Sequence, residues 1–400
     1  MGQEQTEERE CKMKRRVIFT LITLTFLLSS SGCENFIEPN QLAFVIGTAL
    51  DHDDSGGIEV SHQIVIPSQI SGNEGGASSG SSESFIVLSA KGKDIFEANQ
   101  KIQRKMSRRL LENHRILIAL SEELFEKHDV SQLFDKLNRD PANNLRDITI
   151  MIKGGSAKDF LMQGHPMDHL SSIAAGKEMK LNKMSKFTSK QLAIDILSDG
   201  YRPLIPVFNV EEIQVSSNKK QSIGLLSGFA IMNKDLKVSG ILDDVEGSEA
   251  AWMAGKRTFQ GITIPWKDGK GTLSFRFTRL KRQIRSVKGE DPDHIILSVK
   301  AQAYLLENTT SLDLYEVENI VEVQKYLNDQ VQKELQKTVA KVQEFGPDVF
   351  GIGEHLHREF PYWWRSQKEH WDETFKETDI TVQAKIRIRS LGTSGQRFSK

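Results

Sequence analysis

The side chains able to do chemistry in this 400-residue chain are few, and their spacing rarely suits a reaction. Asp51, Asp53, Ser55 and Gly56 match positions 1, 3, 5 and 6 of a calcium-binding loop, but position 12, which should supply a bidentate Glu, is His62. A hairpin turn explains the same residues. His355, His357, Glu359 and His370 make the densest histidine group. His355 and Glu359 could share a helical face, but His357 would point elsewhere, and zinc requires at least three protein ligands. His165 and His169 also lie four apart, yet Pro166 argues against a regular helix there. Gly269-Lys270-Gly271-Thr272 lacks the order of a phosphate-binding loop. No Gly-x-Ser-x-Gly elbow stands between an expected strand and an expected helix. The expectation is a protein without metal, cofactor or catalytic centre.

The residue with a chemical fate is Cys33. A basic cluster (Lys12, Lys14, Arg15, Arg16) precedes an apolar run from Val17 to Leu28, and small residues lead on to Ser31-Gly32-Cys33. That order is a secretory signal peptide. The apolar run of 12 residues falls short of the ~20 that a membrane-spanning helix needs. A cysteine directly after the small residues resembles a bacterial lipoprotein signal, in which the sulfur is lipidated and the cysteine becomes the first residue. The expected division is a signal peptide over 1–32 and a lipidated tether over 33–41. Burying acyl chains contributes ~0.8 kcal/mol per CH₂, and stable anchoring takes two chains. The eight residues from Glu34 to Gln41 span at most about 28 Å, so the first domain is held close to the membrane. Met13 begins a signal of ordinary shape and is the expected start of translation. Cys11 precedes the cleavage site, so the mature chain has a single, occupied sulfur, with no disulfide and no thiol nucleophile.

Loss of the leader removes five basic and four acidic side chains, leaving 48 basic against 50 acidic of the original 53 and 54. That balance gives no electrostatic footprint for nucleic acid and no strong attraction to anionic headgroups. The length allows two or three domains, each with its own core.

Hydrophobic periodicity divides the remainder. Strands are expected at Leu42–Leu50, Ile58–Ile66, Phe85–Leu88, Arg115–Leu120 and Asp147–Ile152. Helices are expected at Asp94–Arg109, after a capping Ser121, at Ser131–Asn138, and near 167–183 and 188–198. Ser68 to Ser84 is rich in Gly and Ser and reads as a loop. These elements suggest an N-terminal α/β domain over 42–200. Pro203 and Pro206 keep 201–210 extended. The polar stretch after it places a linker at 201–221. A small β-rich middle domain follows at 222–288, interrupted by a helix around Ser248–Met253. The last domain, 289–392, is expected to dock a long helix (316–344) on a sheet ending in the alternating strand Ile380–Ile388. The overall expectation is an α+β protein of three mixed α/β domains behind a lipoprotein signal.

Five stretches in order resemble one family. Leu42-Ala43-Phe44-Val45-Ile46-Gly47 leads to Asp51; Ser89-Ala90-Lys91-Gly92 precedes Phe96 and Ala98. Asn113-His114 is followed by Ser121-Glu122-Glu123-Leu124, Arg139-Asp140-Pro141 and Arg146. Gly228-Phe229-Ala230-Ile231 comes with Gly240-Ile241-Leu242, Trp252 and Gly255. Most specific is Asp348-Val349-Phe350-Gly351-Ile352-Gly353 with Pro361, Trp364, Trp371 and Phe375. Together they resemble the C subunit of spore germinant receptors, the Ger(x)C lipoprotein family. The chain departs at Cys33-Glu34-Asn35, where members often carry Cys-Trp-Asp. The resemblance implies a non-enzymatic receptor subunit with three mixed α/β domains. It implies lipid anchoring on the outer face of the spore inner membrane and two partners, a polytopic A subunit and a permease-like B subunit. A rival reading is a solute-binding lipoprotein that captures the nutrient itself in a cleft. The aromatic group of Phe360, Tyr362, Trp363, Trp364, Trp371 and Phe375 is expected to fill a core before it serves an interface.

Overall fold

Most strands and helices arise where periodicity places them. The computed structural model describes residues 13–23, 25, 37–66, 84–140, 143, 145–267, 269–287, 292 and 294–392. Cys33 and all of the expected Gly/Ser loop except Ser84 lie outside them. Residues 1–42 with 107–109 form one unit; in its described part 13–23 are helical, with Val17, Ile18, Phe19, Leu21 and Ile22 exposed. Among the described residues no helix is long and apolar enough to cross a membrane.

The rest forms a second unit built on two sheets. The larger is nine-stranded. Its strands are β1 (Leu42–His52), β2 (Ile58–Val65), β3 (Phe85–Gly92), β4 (Arg109–Leu111), β5 (Leu117–Ser121), β6 (Ile148–Ile152), β7 (Leu204–Ser216), β8 (Lys219–Met232) and β9 (Val238–Asp243), and its main path runs β3-β2-β1-β5-β6-β7-β8-β9. The central strands β1, β5, β6 and β7 run parallel, with antiparallel pairs on either side. Parallel strands are covered on both faces, which is why β1 is apolar at nearly every position.

One face carries α1 (Ile95–Gln103), α2 (Glu122–Lys127) and α3 (Val130–Arg139), which bury Ile102, Phe125 and Phe134 with Val60, Ile118 and Leu120. The other carries α4 (Ala157–Met162) and α5 (Ser171–Leu181), which bury Phe160 and Met179 with Ala49, Ala119 and Ile150. Then come α6 (Ser189–Ile196) and α7 (Asp244–Met253).

The second sheet orders β10 (Gly261–Pro265), β11 (Thr272–Ser286), β12 (His294–Asn308) and β13 (Asp379–Ser390) as β10-β11-β12-β13. β12 and β13 are parallel, so the chain between them must cross over. That crossover holds α8 (Val317–Phe345), α9 (Ile352–Glu359), α10 (Pro361–Gln367) and α11 (Trp371–Glu377). The buried stripe of α8 is Val323, Leu327, Val331, Leu335, Val339 and Val342.

The fold is α+β, and several local expectations are corrected. Residues 201–221 are not a linker: 204–216 and 219–232 form the β7–β8 hairpin of the large sheet. Its far end looked like loop because the side chains beyond Val210 are mostly solvent-exposed, so no apolar alternation marks it. The expected middle unit, 222–288, is divided, with β8 and β9 in the large sheet and β10 and β11 in the second. Among the described residues the two sheets do not have separate cores, since one apolar cluster runs from Ile150 and Phe229 through Trp252 and Phe277 to Leu335 and Ile386, while a second fills the opposite face of the large sheet. The helix expected to reach Arg109 ends at Gln103. Ser121 does precede α2, but its hydroxyl makes no capping bond.

Candidate functional site

The turn between α8 and α9 is built around one carboxylate. Asp348 is fully buried and gathers four N–H donors. Its Oδ1 accepts from Phe350 N and Gly351 N, each at 2.9 Å; its Oδ2 accepts from Gly353 N at 2.8 Å and from Trp371 Nε1 at 3.1 Å. Burial pushes this carboxyl up to about 6, although the four donors pull it down. Gly351 holds φ at 71°, a left-handed value that favours glycine. At Gly353 a Cβ would stand 2.6 Å from Trp371 Nε1, 2.7 Å from Trp364 and 2.8 Å from Gly200 Cα. The bare glycines let two backbones touch, and Gly200 O accepts from Glu354 N at 3.0 Å. Arg202 completes the tie, donating its N–H to Asp348 O at 2.8 Å and pairing its Nε with Asp372 at 3.0 Å. This knot fastens the start of β7 to the helices that cross over the second sheet.

An open cleft of about 940 Å³ lies beside the knot. Its floor holds an ion pair between Lys256 and Asp195, only 5% and 4% exposed. Lys256 Nζ lies 5.1 Å from the Phe187 ring centroid and 5.3 Å from that of Tyr201, a cation–π arrangement. Gln191 Nε2 donates to Asp195 Oδ1 at 2.9 Å. The Tyr201 hydroxyl is buried without a partner, and burial pushes it well above the usual phenol range. Arg282 donates to Phe350 O, and burial lowers its guanidinium from the usual range. It lies close under Gly255, whose φ is 74° and where a Cβ would stand 2.7 Å from Arg282 Nε. Ser198 Oγ, which also lines the cleft, donates to Glu354 Oε2 at 3.0 Å. The arrangement suits binding and bracing.

The residues singled out in the sequence are not brought together. Asp51 accepts from Ala157 N at 2.7 Å and Lys158 N at 2.9 Å, so it caps α4. Asp53 binds Lys91 and Ser55 in the turn. His62 is a core residue, 3.0 Å from both Thr48 Oγ1 and Asn99 Oδ1, and burial pushes its imidazole down. The calcium alternative therefore gives way to a hairpin. His357 stacks on Trp364 at 5.9 Å while His355 Nε2 is buried without a partner. Among the described residues no group of three or more His, Cys, Asp or Glu could hold a metal ion. Trp364, Trp371 and Phe375 are core, whereas Tyr362 is 82% exposed. Sequence reasoning missed Asp195, Tyr201, Lys256 and Arg282. Lys256 and Arg282 lie far along the chain from Asp195 and Tyr201, and the four follow no motif spacing; Gly255 beside Lys256 was the sole local hint.

Comparison with known proteins identifies a family. Residues 35–210 match the family description "Spore germination protein N-terminal domain", and residues 227–392 match "Spore germination B3/ GerAC like, C-terminal". The chain is 23% identical to spore germination protein KC of Bacillus subtilis (strain 168), over 95% of this chain and 97% of that protein. It is 26% identical to spore germination protein B3 of the same organism, over 92% and 96% respectively. The crystal structure of the GerBC protein has a similar fold, with a TM-score of 0.51, 21% identity, and coverage of 88% of this chain and 99% of that one. With both family segments present in order over most of its length, the chain belongs to the Ger(x)C, or GerAC-like, family of spore germination proteins.

Proposed function

We propose that this protein is the C subunit of a nutrient germinant receptor, anchored by a lipid on Cys33 to the outer face of the spore inner membrane. It is non-catalytic and acts with a membrane A subunit and a permease-like B subunit. The observation that carries the reading is order: a leader-like sequence through Ser31-Gly32-Cys33 is followed by two segments, 35–210 and 227–392, that match spore-germination families. The proteins it resembles along nearly their whole length are themselves spore germination proteins. Affinity purification of the tagged protein from detergent-solubilised spore membranes tests it. Recovery of two polytopic membrane proteins in constant ratio is expected; recovery of the protein alone from membranes that contain those subunits contradicts the assembly.

A second reading, a lipoprotein that captures the nutrient directly, is favoured by the 940 Å³ cleft. Small-molecule sites have volumes of about 300–1,000 Å³. A melting screen against candidate nutrients separates the two, because a bound ligand raises the midpoint.

A further inference from the structure

The charge of the cleft is unbalanced. Lys186, Lys256, Arg257, Lys281 and Arg282 line it against Asp195, Asp199 and Glu354, in a chain whose net charge is −1. Of the five cations, only Lys256 has a carboxylate partner among the described residues. Lys186 donates to Gly255 O at 2.8 Å and Arg282 to Phe350 O, both neutral carbonyls.

The cationic heads are also close together. Burial lowers the Lys186 ammonium from its usual range, and repulsion from Arg257, Arg282 and Lys256 adds to that. Surface lysines ordinarily spread into solvent. Here Lys256 is tied to Asp195 and Lys186 to Gly255 O, and Gly255 and Arg257 both hold left-handed φ values, 74° and 62°. That turn sends Lys256 inward to Asp195 and leaves Arg257 at the cleft surface. Strain of this kind at a non-glycine residue is retained where the surroundings enforce it. Apolar side chains stand beside the charges. Leu197 is 81% exposed and Ile194 51%, and both line the same cleft.

We propose that the cleft binds a small molecule carrying an anionic oxygen group, carboxylate or phosphate, next to a short apolar portion. The anionic oxygens would take charge-assisted hydrogen bonds from Arg257 and Lys186, and the apolar portion would cover Leu197 and Ile194. Such chemistry is found in free acidic solutes and in anionic lipid headgroups. The inference rests on the cleft alone, so its failure would leave the receptor assignment and the Cys33 anchor standing.

Thermal melting of the full chain at constant ionic strength, with three six-carbon probes, tests it. Hexanoate represents the free solute, dihexanoylphosphatidylglycerol below its micelle concentration the lipid headgroup, and hexanol the uncharged control. A saturable rise in midpoint is expected with one or both anions and none with hexanol. The tighter anion identifies the source. In Arg257→Gln/Lys186→Gln, whose unliganded midpoint should match that of the parent, affinity should fall at least tenfold. No saturable rise with either anion, an equal rise with hexanol, or an unchanged affinity in the double variant would overturn the proposal.

Discussion

Asn328 pairs with the backbone of Ile386 through both ends of its side-chain amide. Its Oδ1 accepts from Ile386 N at 2.6 Å and its Nδ2 donates to Ile386 O at 3.1 Å. Asn328 lies on α8 and Ile386 on β13, at the edge of the second sheet. The contact repeats along the helix. Gln324 accepts from Ile388 N at 3.0 Å, Gln332 from Ala384 N at 3.3 Å, and Gln336 from Val382 N at 2.8 Å. Four helical residues advance about 6 Å and two strand residues about 6.6 Å, so a ladder spaced by four on one element meets every second residue of the other. The amides stand in for a missing neighbouring strand and close an edge that could otherwise pair with another chain.

That ladder predicts unequal costs. Asn328→Leu leaves Ile386 N without its acceptor, while Ile386 O keeps the bond from Gln324 Nε2, and should destabilise the fold by about 2 kcal/mol in urea unfolding. Gln332→Leu removes one exposed 3.3 Å bond and should cost under about 0.5 kcal/mol. Equal costs at the two positions would show that the amides do not cap the edge.

A second prediction concerns pH. Glu249, on α7, is buried and accepts a hydrogen bond from Thr338 of α8. Burial pushes its carboxyl up from 4.5 to about 7. The folded chain therefore holds a proton that the unfolded chain releases, and this residue makes stability fall as pH rises from about 4.5 to 7. The span corresponds to roughly 3 kcal/mol. Glu249→Gln keeps an acceptor for Thr338 and cannot ionise. Its stability relative to the parent should improve by about that amount between pH 5 and pH 8. Parallel pH profiles for the two proteins would contradict the assignment.

The buried pair under the cleft gives a third. Asp195→Ala strands the Lys256 ammonium among Phe187 and Tyr201 and should cost about 3–5 kcal/mol. Asp195→Leu/Lys256→Met removes both charges and should cost much less. A double-mutant cycle in guanidinium measures the difference, and additive losses would mean the two side chains are not coupled.

The knot at Asp348 gives a fourth. In Asp348→Asn the new amide cannot accept from all four donors, and a loss on the order of 3 kcal/mol is expected. Gly353→Ala forces a methyl against Trp371, Trp364 and Gly200 and should cost about 1–3 kcal/mol or more. Tryptophan fluorescence should report both, since two of the rings touch the turn. Unchanged emission with unchanged stability would remove Asp348 from its central place.

The sequence was legible where periodicity follows burial. The alternation of 380–388 and the stripe of α8 mark the same contacts that the structure shows, and β1 announces its two covered faces. Legibility failed where polar residues do structural work. Gln324, Asn328, Gln332 and Gln336 look like a solvated helix face until a strand edge is set against them. The β7–β8 hairpin reads as loop because its end lies in solvent. Gly351 and Gly353 were visible as part of a family signature, but the reason for Gly351 is a left-handed φ and that for Gly353 a second backbone at Gly200, about 150 residues earlier in the chain. Lys256 and Asp195 are 61 residues apart, and no local pattern predicts that they meet.

The central proposal is that Cys33 moors this chain to the membrane. Mass spectrometry of the N-terminal peptide of the protein extracted from spore membranes tests that most directly. The account predicts that the mature chain begins at Cys33 and carries a diacylglyceryl mass on its sulfur. A peptide that still contains residues before Cys33, or an unmodified Cys33 in membrane-bound protein, would contradict it.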